Sequence, residues 1–306
     1  MNVPTKGTFP DGRLIESSPI AFTKEEITVW EEGTPDIRAL LQRVEIRMIT
    51  YMSDGLRVRG ILAAPKEGKG FPCLIYNRGG NRDFGAITKK QAALFIARVA
   101  SWGYVLVGSQ YRGNMGGEGV EEFGGADVND VLNLIPLLER LPNSDASRIG
   151  MYGRSRGGMM TYLALARTKR IAAGIVDAGE ADLLFGAKRR PEMTDAVFAE
   201  LIPNYDRESK AQLEARSAIC WPEKLCKETP ILLLHGTADW RVSPLQAMRM
   251  AIALYEANHP FRFVLFEGGD HALSEHREEV FGLIRQWLDH YVRDRLDWPS
   301  LEPHGP

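Results

Sequence analysis

The sequence predicts an α/β fold in which a mainly parallel sheet carries helices on both faces. Short, unbroken apolar runs are the first observation, because strands that are buried on both faces have this composition. They lie at 72–76, 104–108, 148–152, 171–176, 231–234 and 261–266. Segments with helical periodicity alternate with these runs, at 89–101, 127–140, 157–167, 244–257 and 275–293. Such alternation requires crossover connections, which place helices on both sides of the sheet.

An antiparallel hairpin is expected before the parallel strands. Apolar residues alternate with polar ones in 44–48 and 56–62, and Ser53-Asp54-Gly55 forms the turn between them. Residues 1–42 mix prolines, charges and short apolar stretches, with a short helix expected at 37–43. We interpret 1–42 as an extension packed on the core, and 43–306 as one domain that carries the functional residues.

One segment, residues 178–229, departs from the alternation of strands and helices. It is charged and helix-prone, and it is interrupted by Pro191, Pro203 and Pro222. A connection of this length is uncommon inside a compact domain unless it has a function. We therefore expect a small helical lid.

Composition excludes several classes of function. The formal net charge is −2, from 38 basic and 40 acidic side chains, which argues against a nucleic-acid partner. No apolar stretch is long enough to span a membrane and the first residues do not resemble a signal peptide, so a soluble, cytoplasmic protein is expected. The 3 cysteines match no metal-binding pattern, and a Cys220–Cys226 bridge is the less favoured alternative to free thiols. No metal or cofactor is expected, and the oligomeric state is left open.

The strongest functional signal is Gly153-Arg154-Ser155-Arg156-Gly157. This G-x-S-x-G motif follows a predicted strand and opens a predicted helix, which is the setting of a nucleophilic serine on a sharp turn. Glycine is needed on both sides because the turn demands unusual backbone angles and close packing. Ser155 is therefore the candidate nucleophile.

A serine nucleophile needs a histidine base and an acid that orients it. Asp239 follows the buried run 231–234, and His271 follows the run 261–266 through a glycine turn. Both positions lie just beyond the carboxyl ends of parallel strands, where such sheets gather their sites. Asp239 could instead serve only as a turn or capping residue. Asp270 is a competing acid, although its adjacency to His271 makes carboxylate–imidazole geometry awkward.

The oxyanion of an acyl-transfer reaction is usually bound by backbone N–H groups. One would come from Arg156, directly after the nucleophile, and Gly80 in the 77–81 loop is our choice for the second. The alternative for this loop is a tight strand-to-helix turn without a catalytic role.

Together these residues resemble the catalytic domain of the prolyl oligopeptidase family. More broadly they resemble the dienelactone-hydrolase-like and acetyl-xylan-esterase-like branches of the α/β hydrolases. The similarity extends over about 44–292 and includes Arg78-Gly79-Gly80, Tyr111-Arg112-Gly113, 123–130, 148–158, 234–239 and 268–271. The resemblance implies an α/β-hydrolase fold, a triad of Ser155, Asp239 and His271, and oxyanion binding by Gly80 and Arg156.

Two departures from the family bear on the substrate. We expect no large N-terminal β-propeller, and Arg156 replaces the aromatic residue that commonly follows the nucleophile. Both argue against peptidase activity, and an ester releases its alkoxide more readily than a peptide releases its amine. We therefore expect a carboxylesterase acting on a small-molecule ester, with an oligopeptidase acting on short peptides as the alternative.

Two further questions stay open at this point. Arg154 and Arg156 could favour an acidic acyl group, or they could pair with carboxylates of the scaffold. A catalytically silent hydrolase fold that binds a partner is the remaining alternative. It is disfavoured because Ser155, Asp239 and His271 are all present.

Overall fold

A mixed sheet forms the centre of the protein. The computed structural model describes residues 9–305, and within them nine strands lie in the order β1-β2-β3-β5-β4-β6-β7-β8-β9. Pairing is antiparallel from β1 through β2 and β3 to β5, and parallel from β5 through β4 to β9. The strands are β1 (Leu14–Pro19), β2 (Val44–Ser53), β3 (Leu56–Pro65), β4 (Phe71–Asn77), β5 (Val105–Ser109), β6 (Ser144–Arg154), β7 (Ala173–Asp177), β8 (Ile231–Gly236) and β9 (Phe261–Phe266).

Helices cover both faces of this sheet, which confirms the predicted fold class. Outside residues 178–229 they are α1 (Lys24–Glu31), α2 (Ile37–Arg43), α3 (Lys89–Gln91), α4 (Ala97–Ser101), α5 (Val128–Leu132), α6 (Leu134–Arg140), α7 (Arg156–Leu165), α12 (Pro244–Glu256) and α13 (Arg277–Leu288). Cys73 and Ile75 of β4 belong to one apolar cluster, with residues of α5, α6, α7 and α12. Leu74 and Tyr76 belong to a second cluster, with residues of α4 and α13. This alternation explains why β4 is apolar throughout.

The elements differ from the sequence prediction in several details. Residues 14–19 pair with β2 as an edge strand, which the mixed composition of the extension did not indicate. The helix expected at 89–101 contains a π-helical segment, Ala92–Ile96, between α3 and α4. The helix expected at 127–140 is divided at Asn133, because Pro136 has no N–H to donate to the carbonyl of Leu132.

Between β7 and β8 the chain forms a group of short helices. They are α8 (Leu183–Arg189), α9 (Pro191–Met193), α10 (Ala199–Leu201) and α11 (Tyr205–Ala215), with a π-helical segment (Thr194–Phe198) and 3₁₀ turns (Ala218–Cys220, Pro222–Lys224). We call residues 178–229 the insertion. Phe198 of the insertion packs edge-on against Phe123, with 5.3 Å between ring centroids. Within residues 9–305, no helix is both long and apolar enough to cross a bilayer.

Candidate active site

Ser155 stands on a sharp turn between β6 and α7. Its φ of 56° and ψ of −127° are unusual for a residue with a side chain. The turn depends on its glycines: a Cβ on Gly153 would lie 2.0 Å from the carbonyl oxygen of Gly157, and one on Gly157 would lie 2.0 Å from that of Asn77. This packing holds the serine in its strained conformation, with its side chain partly exposed at the carboxyl end of β6.

His271 and Asp239 meet beyond the ends of β9 and β8. Nδ1 of His271 lies 2.7 Å from Oδ2 of Asp239, while Oδ1 of Asp239 accepts the backbone N–H groups of Arg241 (2.8 Å) and Val242 (3.0 Å). Burial raises the pKa of Asp239, but hydrogen bonds from His235 and His271 outweigh it and hold that pKa well below its ordinary value. An ionised Asp239 accepts the proton of Nδ1, so that Nε2 of His271 keeps its lone pair.

His235 is a contact of this pair that the sequence did not reveal. Its Nε2 lies 2.9 Å from the carbonyl oxygen of Val242 and 3.2 Å from Oδ2 of Asp239, and its ring is fully buried. The available signal was its spacing, four residues before the acid and directly at the end of β8.

The loop of Ser155 and the loop of His271 are joined by Arg154. Its guanidinium donates to the carbonyl oxygen of His271 (3.0 Å) and lies 3.8 Å from Asp177, whose own carbonyl oxygen accepts the N–H of Ser155 (3.0 Å). In the described part of the chain, Oγ of Ser155 makes no hydrogen bond of 3.5 Å or less. Catalytic contacts of this kind are often long before substrate binds. The structure thus pairs His271 with Asp239, and Arg154 links the loop of His271 to the loop that carries Ser155.

The competing acid, Asp270, is bonded to the turn that follows it. Its Oδ1 accepts the backbone N–H groups of Ala272 (2.8 Å) and Ser274 (3.0 Å), which makes it the cap of the following turn. These bonds lower the pKa of Asp270, although burial opposes them. Asp239 is therefore the carboxylate in contact with His271.

The side chain of Arg156 is buried in the scaffold. Its guanidinium donates to Glu121 (2.6 Å), to Asp127 and to the carbonyl oxygen of Gly80 (3.0 Å). Burial lowers the pKa of Arg156, but the two carboxylates more than compensate and raise it. Because its guanidinium is bonded to both carboxylates, this arginine does not present its positive charge to a substrate.

Two backbone N–H groups close in the chain to Ser155 and to its neighbour Gly79 make no internal hydrogen bond in the part of the chain that the structure describes. Among residues 9–305, neither the N–H of Arg156 nor that of Gly80 has a hydrogen-bond partner. The loop that contains Gly80 approaches closely, since a Cβ on Gly79 would lie 3.7 Å from Oγ of Ser155. Gly80 has a φ of +69°, and a Cβ there would lie 2.1 Å from the carbonyl oxygen of Phe84. Both glycines are needed for this approach.

Two exposed aromatic rings lie on these loops. Trp240, directly after Asp239, is 69% exposed, and Phe84 is 64% exposed. The guanidinium of Arg241 lies 4.9 Å from the ring centroid of Trp240 and 5.9 Å from that of Phe84. In the part of the chain that the structure describes, no group of histidine, cysteine or carboxylate side chains is arranged to hold a metal ion.

Comparison with known families identifies one match. Residues 91–295 match the model of the prolyl oligopeptidase family, a range that includes Ser155, Asp239 and His271. An uncharacterized peptidase of Bacillus subtilis, YtmA, is 29% identical over 249 residues, which are 81% of this chain and 94% of that protein. Dipeptidyl-peptidase 5 of Porphyromonas gingivalis is 27% identical over 83% of this chain, but only 40% of its own length is covered.

Solved structures show the same fold. An acylaminoacyl peptidase of Pyrococcus horikoshii superposes with a TM-score of 0.72 at 24% identity, over 87% of this chain and 44% of that protein. A structure described as puromycin hydrolase superposes with a TM-score of 0.69 at 21% identity, over 80% of this chain and 39% of that one. The chain therefore spans less than half of these larger proteins and nearly all of YtmA.

Proposed function

Because this chain belongs to the prolyl oligopeptidase family and is a serine hydrolase of that family, we propose that it is a peptidase that cleaves short peptides. The observation that carries the proposal is the hydrogen bond from His271 to an ionised Asp239, on loops that adjoin the strained turn of Ser155. The relatives support a peptidase, since YtmA and dipeptidyl-peptidase 5 are both described as peptidases. They favour the peptide alternative over the ester, which the sequence analysis placed first.

In the proposed reaction Ser155 attacks the carbonyl carbon of the scissile bond. Nε2 of His271 takes the proton from Oγ as the bond forms, and Asp239 stabilises the resulting imidazolium. The backbone N–H groups of Gly80 and Arg156 donate to the oxyanion. His271 then returns the proton to the leaving amine, and water hydrolyses the acyl-enzyme by the same steps.

We also assign the insertion, residues 178–229, the role of a cover over this site. Contacts between the insertion and the oxyanion loop support the assignment. Arg82, two residues after Gly80, pairs with Glu200 of α10 and donates to the carbonyl oxygen of Ala196 (3.2 Å). Residues of the insertion would thereby influence which substrates reach Ser155.

A fluorophosphonate probe and two substrate panels test the proposal. The wild-type protein should be labelled at Ser155, whereas Ser155→Ala and His271→Ala should lose labelling. Ser147→Ala, an exposed serine near the opposite end of β6, is the matched control and should be labelled normally. The wild-type protein should also cleave peptidyl nitroanilides. A carboxylesterase would instead cleave only the p-nitrophenyl esters.

Three results would redirect the assignment. Cleavage of the esters alone would restore the carboxylesterase interpretation. Labelling of Ser155 without cleavage of either panel would point to a substrate outside both. Absence of labelling in a folded wild-type protein would refute the nucleophile, and the silent binding protein would become the leading interpretation.

A further inference from the structure

Glu180 is held directly beside the nucleophile. Its backbone N–H donates to the carbonyl oxygen of Ser155 (3.3 Å). The residue before it, Gly179, packs against the helix start, since a Cβ on Gly158 would lie 2.6 Å from the Cα of Gly179. This close contact keeps the first residues of the insertion next to the turn that carries Ser155.

Within the described part of the chain, the carboxylate of Glu180 has no hydrogen-bond partner. Its Oε2 is buried and accepts no hydrogen bond from any residue in 9–305. Burial raises the pKa of Glu180, while the charges of His271, Arg190 and Arg156 oppose that increase. A buried acceptor without a partner costs free energy, and in native proteins such a group often has a functional role. The backbone bond to Ser155 places this residue at the candidate active site.

The arginines around Glu180 are engaged elsewhere. Arg156 donates to Glu121 and Asp127. Arg190 donates to Glu192 (2.9 Å), and its guanidinium lies 5.5 Å from the ring centroid of Trp240. Among the described residues, these cations therefore leave the negative charge of Glu180 available for a group that enters with the substrate.

We propose that Glu180 binds a positively charged group of the peptide, close to the scissile bond, and so makes the enzyme selective for cationic substrates. This inference rests on the proposed peptidase function. An ammonium or guanidinium group would supply the missing donor to Oε2 and would stabilise the ionised carboxylate. Two parts of a peptide carry this chemistry: a lysine or arginine side chain, and the free amino terminus.

Two matched pairs of nitroanilides distinguish these sources in the wild-type protein. Benzyloxycarbonyl-lysine is compared with benzyloxycarbonyl-norleucine, which has nearly the same length but no charge. Alanine nitroanilide with a free amine is compared with its acetylated form. In one of the pairs, kcat/KM should be at least about tenfold higher for the cationic member, which corresponds to one charge-assisted hydrogen bond. The responsive pair identifies the source.

Glu180→Gln keeps the size of the side chain and removes its charge. It should abolish the cation preference while kcat/KM for the neutral member changes by less than about threefold. Glu180→Asp, which keeps the charge on a shorter side chain, should retain part of the cation preference. Glu208→Gln, which removes the charge of an exposed glutamate on α11, is the control and should behave as wild type.

Several outcomes would overturn the assignment. One is a wild-type protein that cleaves both members of each pair equally. Another is a Glu180→Gln variant that loses activity equally on cationic and neutral substrates, because Glu180 would then act through His271. In both cases the wild-type protein is still labelled at Ser155 and still cleaves nitroanilides. Loss of labelling in the wild type would instead refute the proposed function, and the cation site with it.

Discussion

Replacing Asp239 with asparagine removes the charge of this residue but keeps a side-chain oxygen that can accept backbone hydrogen bonds. Oδ1 of Asp239 accepts two backbone N–H groups, from Arg241 and Val242, at 2.8 and 3.0 Å. The asparagine carbonyl oxygen should occupy this position, because only an acceptor satisfies both donors. Its NH₂ group would then face Nδ1 of His271, which in wild type lies 2.7 Å from Oδ2.

The consequence for His271 is the wrong tautomer. An NH₂ group that donates to Nδ1 leaves the imidazole proton on Nε2, where it cannot accept the proton of Ser155. The variant also lacks the negative charge that stabilises the imidazolium. In triads of this kind the exchange lowers kcat by about 10⁴-fold, equivalent to about 5 kcal/mol of transition-state stabilisation. Because both backbone bonds are kept, we expect the variant to fold.

The assay is kcat on a peptidyl nitroanilide, together with the rate of fluorophosphonate labelling. Asp270→Asn is the matched control, since it makes the same chemical change next to His271 and keeps an acceptor for Ala272 and Ser274. Asp239→Asn should lose both activity and labelling rate, and Asp270→Asn should lose neither by more than a few fold. If Asp239→Asn stays within tenfold of wild type, or Asp270→Asn is the impaired variant, the assignment of the acid is refuted.

Three further predictions concern the surrounding residues. Gly79→Ala should lower kcat/KM by about tenfold or more without unfolding the protein, because the new methyl group would lie 3.1 Å from Cβ of Ser155; nitroanilide kinetics and thermal melting test both parts. Arg156→Met should lower the free energy of unfolding by about 3–5 kcal/mol in urea titration, because it leaves Glu121 and Asp127 as unpaired buried carboxylates. Because the pKa of Asp239 is lowered in the folded protein, the unfolded protein binds a proton at this carboxylate at a higher pH than the folded protein does. Asp239 therefore stabilises the fold above about pH 4 and loses that contribution as pH falls. Acid titration should therefore destabilise wild type more steeply than Asp239→Asn, and parallel slopes would contradict the assignment.

The sheet and the positions of the candidate site residues could be predicted because local patterns encode them. Unbroken apolar runs mark strands that are buried on both faces, and parallel strands bring their carboxyl ends to one edge. That geometry is sufficient to expect Ser155, Asp239 and His271 near one another. Their assignment as a triad stays a prediction until the variants are measured.

Contacts that depend on tertiary packing could not be predicted in the same way. The sequence left open whether Arg156 faces substrate or scaffold, since its carboxylate partners lie 29 and 35 residues away. The contact of His235 with Asp239 depends on how the chain turns after β8. The unpaired carboxylate of Glu180 is a property of its surroundings, and no local pattern distinguishes it from an exposed glutamate.

The burial of Arg156 also bears on the choice between ester and peptide. Its presence where relatives carry an aromatic residue was one argument against peptidase activity. Its guanidinium, however, lies between aromatic rings, 4.8 Å from the ring centroid of Tyr111 and 4.6 Å from that of Phe123. Cation–π contacts and the two carboxylates hold the side chain away from the nucleophile, and the backbone N–H of Arg156 remains unbonded within residues 9–305. Because the oxyanion would use the backbone N–H of Arg156 and not its side chain, the substitution leaves the proposed acyl transfer intact, and it no longer argues against a peptide substrate.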